Sequence, residues 1–213
     1  PAYAGWPPPD PRVEPWPPGG GGGRPRISLT MNITAGARQA KPRRTGLVQL
    51  YTGNGKGKTT ASLGLALRAS GQGMRVCILQ FMKGAKRCGE HKFIERWPAF
   101  EIIQPASRSC FDRPEEERRA AAREALALAS SLVGSGRYDV LILDEALTSI
   151  RFGLLSSRDV LDLIASKPVE LELVLTGRGA PQEIIEAADL VTEMTPVKHP
   201  IDKGVRARRG IEF

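Results

Sequence analysis

Residues 47–67 read LVQLYTGNGKGKTTASLGLAL: an apolar run, a glycine-rich turn, then a segment opening with lysine and two threonines. This is close to the phosphate-binding pattern G-x-x-x-x-G-K-S/T. Anchored on Gly57-Lys58-Thr59, the pattern asks for glycine at position 52, where this chain has Thr52. The first glycine, Gly53, stands one residue closer to the lysine. The context nevertheless favours a phosphate site, because a strand, a glycine turn and a helix follow one another. Gly53, Asn54, Gly55, Lys56 and Gly57 can turn several backbone N–H groups inward, since glycine permits the φ values and the close approach required. Lys58 offers a point charge to terminal phosphates, and Thr59 a hydroxyl where Mg²⁺ would sit. Nucleotide binding is the first expectation.

A second motif is VLILDE, residues 140–145. A buried parallel strand delivers its last residues to the edge of the sheet where phosphate loops lie. Asp144 and Glu145 are therefore candidates to hold Mg²⁺ (or Mn²⁺), directly or through water. The plainer alternative is that two acids after a strand cap the next helix. Glu145 as a base for water also keeps an ATP-hydrolysing reading open.

The segments around these motifs alternate. GLVQLYT, RVCILQF, FEIIQ, YDVLILDEA, VELELVLTGRG and DLVTEMTPV read as strands. KTTASLGLALRASGQG reads as a helix, with Ala61, Leu65 and Leu67 near helical spacing. DRPEEERRAAAREALALASSLVGSG is the clearest helix, with Pro114 and acids at its start and glycine at its end. SSRDVLDLIASKP is a helix capped by Ser156 or Ser157, and APQEIIEAA a short one. Near-continuous apolar strands alternating with helices predict an α/β fold. The expected architecture is a P-loop NTPase-like parallel sheet covered by helices on both faces.

Composition divides the chain near residue 46. Residues 1–45 hold ten of the seventeen prolines and carry a net charge of +5, leaving +3 for residues 46–213. The overall +8 therefore belongs mostly to the first segment and is weak evidence for nucleic acid. Residues 1–45 are expected to be a disordered Pro/Gly-rich basic tail, and residues 46–213 the folded domain. The first methionine is Met31, so translation is expected to begin there, with residues 1–30 an upstream extension of the reading frame. Cys77, Cys88 and Cys110 show no paired or metal-finger spacing, which fits a reducing cytoplasm. No apolar run reaches the ~18 residues of a membrane span, and no secretory signal is evident.

Further segments add specificity: QFMKG at 80–84 with Gly89-Glu90 after it, LTGRGAP at 175–181, and TEMTPVKHPIDKGVRARRGIEF at the C-terminus. With TGNGKGKTTAS and LDEA, in this order, they resemble the ATP:corrinoid adenosyltransferases of the cobalamin pathway, which share the shortened loop. The resemblance spans roughly residues 46–213. It implies a P-loop fold, a homodimer, and transfer of the 5′-deoxyadenosyl group from ATP to cob(I)alamin, cobinamide or cob(I)yrinic acid a,c-diamide, with release of triphosphate. It also implies a reductant for cobalt, a flavoprotein being one candidate. Cobalt is then the nucleophile, which accounts for the lack of a Ser/His/Asp or Cys/His set.

By resemblance, Asn54 through Thr60 correspond to the triphosphate loop, and Thr59 with Glu145 to the magnesium environment. Lys58 and Glu145 are the implied catalytic pair. The triphosphate is implied to run through the loop in reverse, exposing C5′. Arg178 in TGRG and Lys198-His199 in PVKH fall in family motifs near the site; a loop-stabilising cation and a structural hydrogen bond are their plainer roles. Where other members carry an aromatic GFTW segment, this chain reads ASRSCFDR, with Phe111 the one aromatic. Phe111 is either a contact to the corrin face or ordinary packing. Two other readings stay open at this point: a P-loop ATPase acting with nucleic acid or as a regulatory module, and a binding module without turnover.

Overall fold

The computed structural model describes residues 45–83, 88–105 and 113–213. The expectations for residues 1–44, Cys110 and Phe111 lie outside the described residues. Among the described residues, twelve strands and helices follow in chain order: β1 (Val48–Thr52), α1 (Lys58–Gly71), β2 (Val76–Gln80), α2 (Gly89–Arg96), β3 (Glu101–Ile103), α3 (Glu115–Gly134), β4 (Val140–Asp144), α4 (Ala146–Arg151), α5 (Ser157–Ala165), β5 (Glu172–Thr176), α6 (Gln182–Glu186) and β6 (Leu190–Glu193). A 3-10 turn over Pro200–Lys203 comes last.

The strands form one sheet in the order β3-β2-β4-β5-β1-β6, and every neighbouring pair is parallel. The chain runs from β1 outward to β2 and β3, then returns through β4 and β5 to β6 beyond β1. Right-handed crossovers put the helices of the outward and return legs on opposite faces. The core divides accordingly. Ala66 and Ala69 of α1 pack with Val76, Ile78, Val140, Ile142 and Val174. On the other face, Ala125 and Ala129 of α3, Val160 and Leu163 of α5 and Ile184 of α6 pack with Leu79, Leu141, Leu143, Leu173 and Leu175. Strands β2, β4 and β5 are buried at every position, as their unbroken apolar runs require. Each fully buried leucine or isoleucine contributes about 1.5–3 kcal/mol relative to exposure.

Helix α1 corrects one expectation. Its buried residues after Lys58 are Ser62, Ala66 and Ala69, whereas Leu67 is 56% exposed. Small side chains let the helix lie close on the sheet, with Leu63 and Leu65 half-buried against the flank of that contact and Leu67 turned away from it. Helix α5 starts as its sequence predicts, and the cap is Ser156: Asp159 N donates to its Oγ at 3.2 Å, while Ser156 N donates to Asp159 Oδ2 at 2.8 Å. Cys77 is buried in β2, and burial first of all pushes its thiol up to about 12, so it behaves as a packing residue. No helix among the described residues is long and apolar enough to cross a membrane.

Candidate nucleotide site

The glycine turn lies at the C-terminal edge of the sheet, between β1 and the first turn of α1. Thr52 still belongs to β1 and pairs with Glu193 of β6. The strand thus runs through the position where the usual pattern has glycine, and the turn begins at Gly53. There φ is +90°, and a Cβ would fall 2.5 Å from the Met194 carbonyl oxygen, so only glycine fits. Gly55 N donates to that same carbonyl at 2.6 Å, tying the turn to the end of β6. The Lys58 ammonium is folded inside the turn, donating to the Gly53 carbonyl at 2.8 Å and the Gly55 carbonyl at 2.7 Å. Its pKa is lowered, first by burial and then by Arg178, against the pull of Glu145 and Asp144.

β4 is not adjacent to β1, because β5 lies between them. Asp144 closes that gap with hydrogen bonds. Its Oδ1 accepts the Thr59 hydroxyl at 3.0 Å and the Thr176 hydroxyl at 2.7 Å. Its Oδ2 receives Lys83 Nζ at 2.6 Å and Gln80 Nε2 at 3.5 Å. Asp144 is completely buried, and Lys83 supplies the opposite charge such a carboxylate requires. Burial alone would lower the Lys83 pKa, but the Asp144 carboxylate overrides it and the net shift is upward.

Glu145 adopts a left-handed conformation, φ +65°, uncommon for a residue with a side chain. Hydrogen bonds fix it there. Glu145 N donates to Thr176 Oγ1 at 3.0 Å, and the Thr148 hydroxyl donates to Glu145 Oε2. The Thr148 oxygen also accepts Arg178 N at 3.1 Å. Strain held in place by several bonds directs the Glu145 carboxylate out of the core and toward the loop cavity that it lines. Thr59, Asp144 and Glu145 offer the hard oxygen donors that suit Mg²⁺.

A cavity of about 350 Å³ opens over the turn. Of the residues singled out from sequence, Gly55, Lys56, Gly57, Lys58, Thr59 and Thr60 line it. Glu145, Arg178 and His199 complete that group. Gly53, Asn54, Asp144 and Lys198 do not line it; Asp144 stands behind Thr59, and Asn54 and Lys198 face solvent. His199 also makes the structural bond anticipated for it, with Nδ1 accepting Ile201 N at 3.2 Å. Sequence reasoning missed Arg206, Arg208 and Glu212, which close the cavity from the C-terminal segment. Five cationic side chains, Lys56, Lys58, Arg178, Arg206 and Arg208, thus face two carboxylates, Glu145 and Glu212. Such a balance is chemically suited to a polyanion.

A second cavity, about 750 Å³, lies between α1, α2 and the chain end. Leu63, Leu67, Phe93, Phe100, Ile211 and Phe213 make its wall largely apolar. Thr59, Thr60, Glu145, Ile211 and Glu212 line both cavities. Nearby, Cys88, Glu90 and His91 bring metal-ligating atoms within 4.8 Å of one another. The imidazole there serves the fold: Nδ1 accepts Cys88 N at 3.1 Å and Nε2 meets Gln80 Oε1 at 3.0 Å.

Comparison with known proteins bears on this arrangement. The family described as ATP:corrinoid adenosyltransferase BtuR/CobO/CobP matches residues 44–213. A corrinoid adenosyltransferase of Pseudomonas aeruginosa is 38% identical over 178 residues, covering 82% of this chain and 87% of its own. One from Escherichia coli K12 is 34% identical over 181 residues, covering 85% and 92%. The corrinoid adenosyltransferase CobA of Salmonella typhimurium is 32% identical over 185 residues, again covering 85% and 92%. The family match spans the phosphate loop, the LDE strand end and the C-terminal segment alike. On these matches the chain belongs to the ATP:corrinoid adenosyltransferase family and is a corrinoid adenosyltransferase.

Proposed function

We propose that the chain moves the 5′-deoxyadenosyl group of ATP to the reduced cobalt of cob(I)alamin, cobinamide or cob(I)yrinic acid a,c-diamide, and releases triphosphate. One observation carries this reading. A cationic cavity over the phosphate loop meets a larger apolar cavity along Thr59, Thr60 and Glu145. The first suits a triphosphate, the second a broad apolar macrocycle, and the shared border is where their reacting ends can meet.

In the proposed reaction, the cobalt electron pair forms the Co–C5′ bond while the C5′–O5′ bond breaks. The leaving electron pair stays on the triphosphate. No protein nucleophile or base is needed, so the chain contributes placement and charge stabilisation. Lys58, Lys56, Arg178 and the N–H groups of Gly53–Thr60 would hold the triphosphate. Thr59 and Glu145 would hold Mg²⁺, with Asp144 behind Thr59 orienting its hydroxyl, and the ion adds charge neutralisation to the leaving group. We read the protein as a homodimer that takes electrons from a separate reductant. β6, the outer strand with all four residues exposed, is the candidate surface for the second copy.

The test is anaerobic mixing of the full chain with ATP and chemically reduced cobalamin, followed by corrinoid absorbance. Conversion to adenosylcobalamin, one per ATP consumed, supports the reading. Phosphate release stimulated by DNA or RNA without adenosylation refutes it, as does corrinoid binding without any product.

A further inference from the structure

The last residues of the chain place a carboxylate among the cations of the loop cavity. Glu212 Oε1 lies 3.2 Å from Lys56 Nζ and 3.0 Å from Arg208 Nη2. Glu212 Oε2 accepts the Arg208 backbone N–H at 2.7 Å and Arg208 Nε at 3.3 Å. Lys56 Nζ donates in addition to the Ile211 carbonyl at 3.3 Å, joining the glycine turn to a segment 155 residues further on. An ammonium, a guanidinium and a backbone N–H converging on one carboxylate are the donors that would equally well hold a phosphate group.

Position and exposure decide what this cluster is for. Lys56, Arg208 and Glu212 all line the cavity over the loop, so the donors already face the place proposed for the triphosphate. The Lys56 and Arg208 side chains are 45% and 54% exposed. Ion pairs that open to solvent are weak and easily exchanged. A purely structural clasp would be better served by buried partners. Ile211 and Glu212 also border the apolar cavity, so the segment pinned by this carboxylate is part of the boundary between the two chambers.

We propose that Lys56, Arg208 and the Arg208 N–H form a phosphate subsite that Glu212 and a bound triphosphate occupy in turn. Displacement of Glu212 by a triphosphate releases Ile211–Phe213 and joins the two cavities. Nucleotide binding thereby opens the way for the apolar co-substrate. This inference rests on the loop being a triphosphate site, as proposed above.

The experiment uses inorganic tripolyphosphate and the full chain, with Kd measured by calorimetry at fixed ionic strength. Removing an internal competitor raises apparent affinity, so Glu212→Gln is expected to lower Kd roughly threefold to tenfold. In that same background, Arg208→Met is expected to raise Kd again, because a donor is lost without any change in competition. Tripolyphosphate is also expected to speed hydrogen exchange at the amides of Gly210 and Glu212 in the wild type. Equal or weaker binding by Glu212→Gln, in protein with unchanged circular dichroism, overturns the subsite while leaving the loop reading intact. Failure of every form to bind tripolyphosphate overturns both.

Discussion

Thr59, on the first turn of α1, donates its hydroxyl across 3.0 Å to Asp144 at the end of β4, although 85 residues and the intervening strand β5 separate them. The bond joins the phosphate loop to the acidic strand end. Thr59→Ala removes it together with one proposed metal ligand. Adenosyl transfer is expected to fall about 10- to 100-fold, with a rise in the Mg²⁺ concentration needed for half activity. Thr59→Ser, which keeps the hydroxyl, is expected to recover most of the loss. Metal titrations of both variants check this; equal Mg²⁺ requirement in all three proteins would contradict it.

The Lys83–Asp144 pair predicts a stability effect distinct from catalysis. Lys83→Met leaves a fully buried carboxylate with hydroxyl and amide donors only, and is expected to cost about 2–4 kcal/mol. The double variant Lys83→Met/Asp144→Asn should recover part of that cost, because it removes the uncompensated charge as well. Urea unfolding of the wild type, Lys83→Met, Asp144→Asn and the double variant gives the coupling. The raised Lys83 pKa fixes the sign at alkaline pH. The stabilisation is fully present below the ordinary lysine value of 10.5 and is lost as pH rises through the higher folded value.

Ser156→Ala tests the fold apart from the site. It removes the cap of α5, on the return face of the sheet, and is expected to cost ~1 kcal/mol of stability. Turnover should stay at the wild-type rate, since neither Ser156 nor Asp159 borders the two cavities that meet at Glu145. Thermal unfolding together with the corrinoid assay checks both halves.

The C-terminal clasp predicts an acid transition. Glu212 is held down to about 2, first by the Arg208 side chain and then by the Arg208 N–H, with Lys56 adding to them. A depressed carboxyl stabilises above its unfolded value, near 4.5, and loses that contribution as pH falls toward 2. The difference in amide exchange at Gly210 between wild type and Glu212→Gln should therefore be constant from pH 8 to about 5 and vanish toward pH 2. A difference that persists at pH 2 would show that charge is not what holds the segment.

Much of this architecture is written in local signals. The turn after β1, the acids ending β4 and the acid-rich start of α3 each follow from residue types at short spacing. The buried face of α1 does not follow its largest apolar residues. The sheet instead takes Ser62, Ala66 and Ala69, and Leu63 and Leu67 wall the apolar cavity. Helix α2 has no buried residue and is entered from Cys88, so it has neither an apolar stripe nor an oxygen cap to announce it. Helix α4 begins from the left-handed Glu145, a start that Thr148 and Thr176 hold by bonds no local pattern reveals. Thr176, Lys83 and Glu212 were illegible for one shared reason. Thr176 and Lys83 meet Asp144 only through sheet order and chain return, and Glu212, though bonded locally to Arg208, reaches the loop cavity and Lys56 only because the chain end returns to the glycine turn.

The central claim concerns which bond of ATP breaks, and ³¹P NMR of a completed anaerobic reaction with reduced cobalamin tests it most directly. Cleavage at C5′ predicts inorganic tripolyphosphate as the phosphorus product, in amounts equal to the adenosylated corrinoid. Orthophosphate with ADP, or pyrophosphate with AMP, appearing in place of tripolyphosphate would contradict the account.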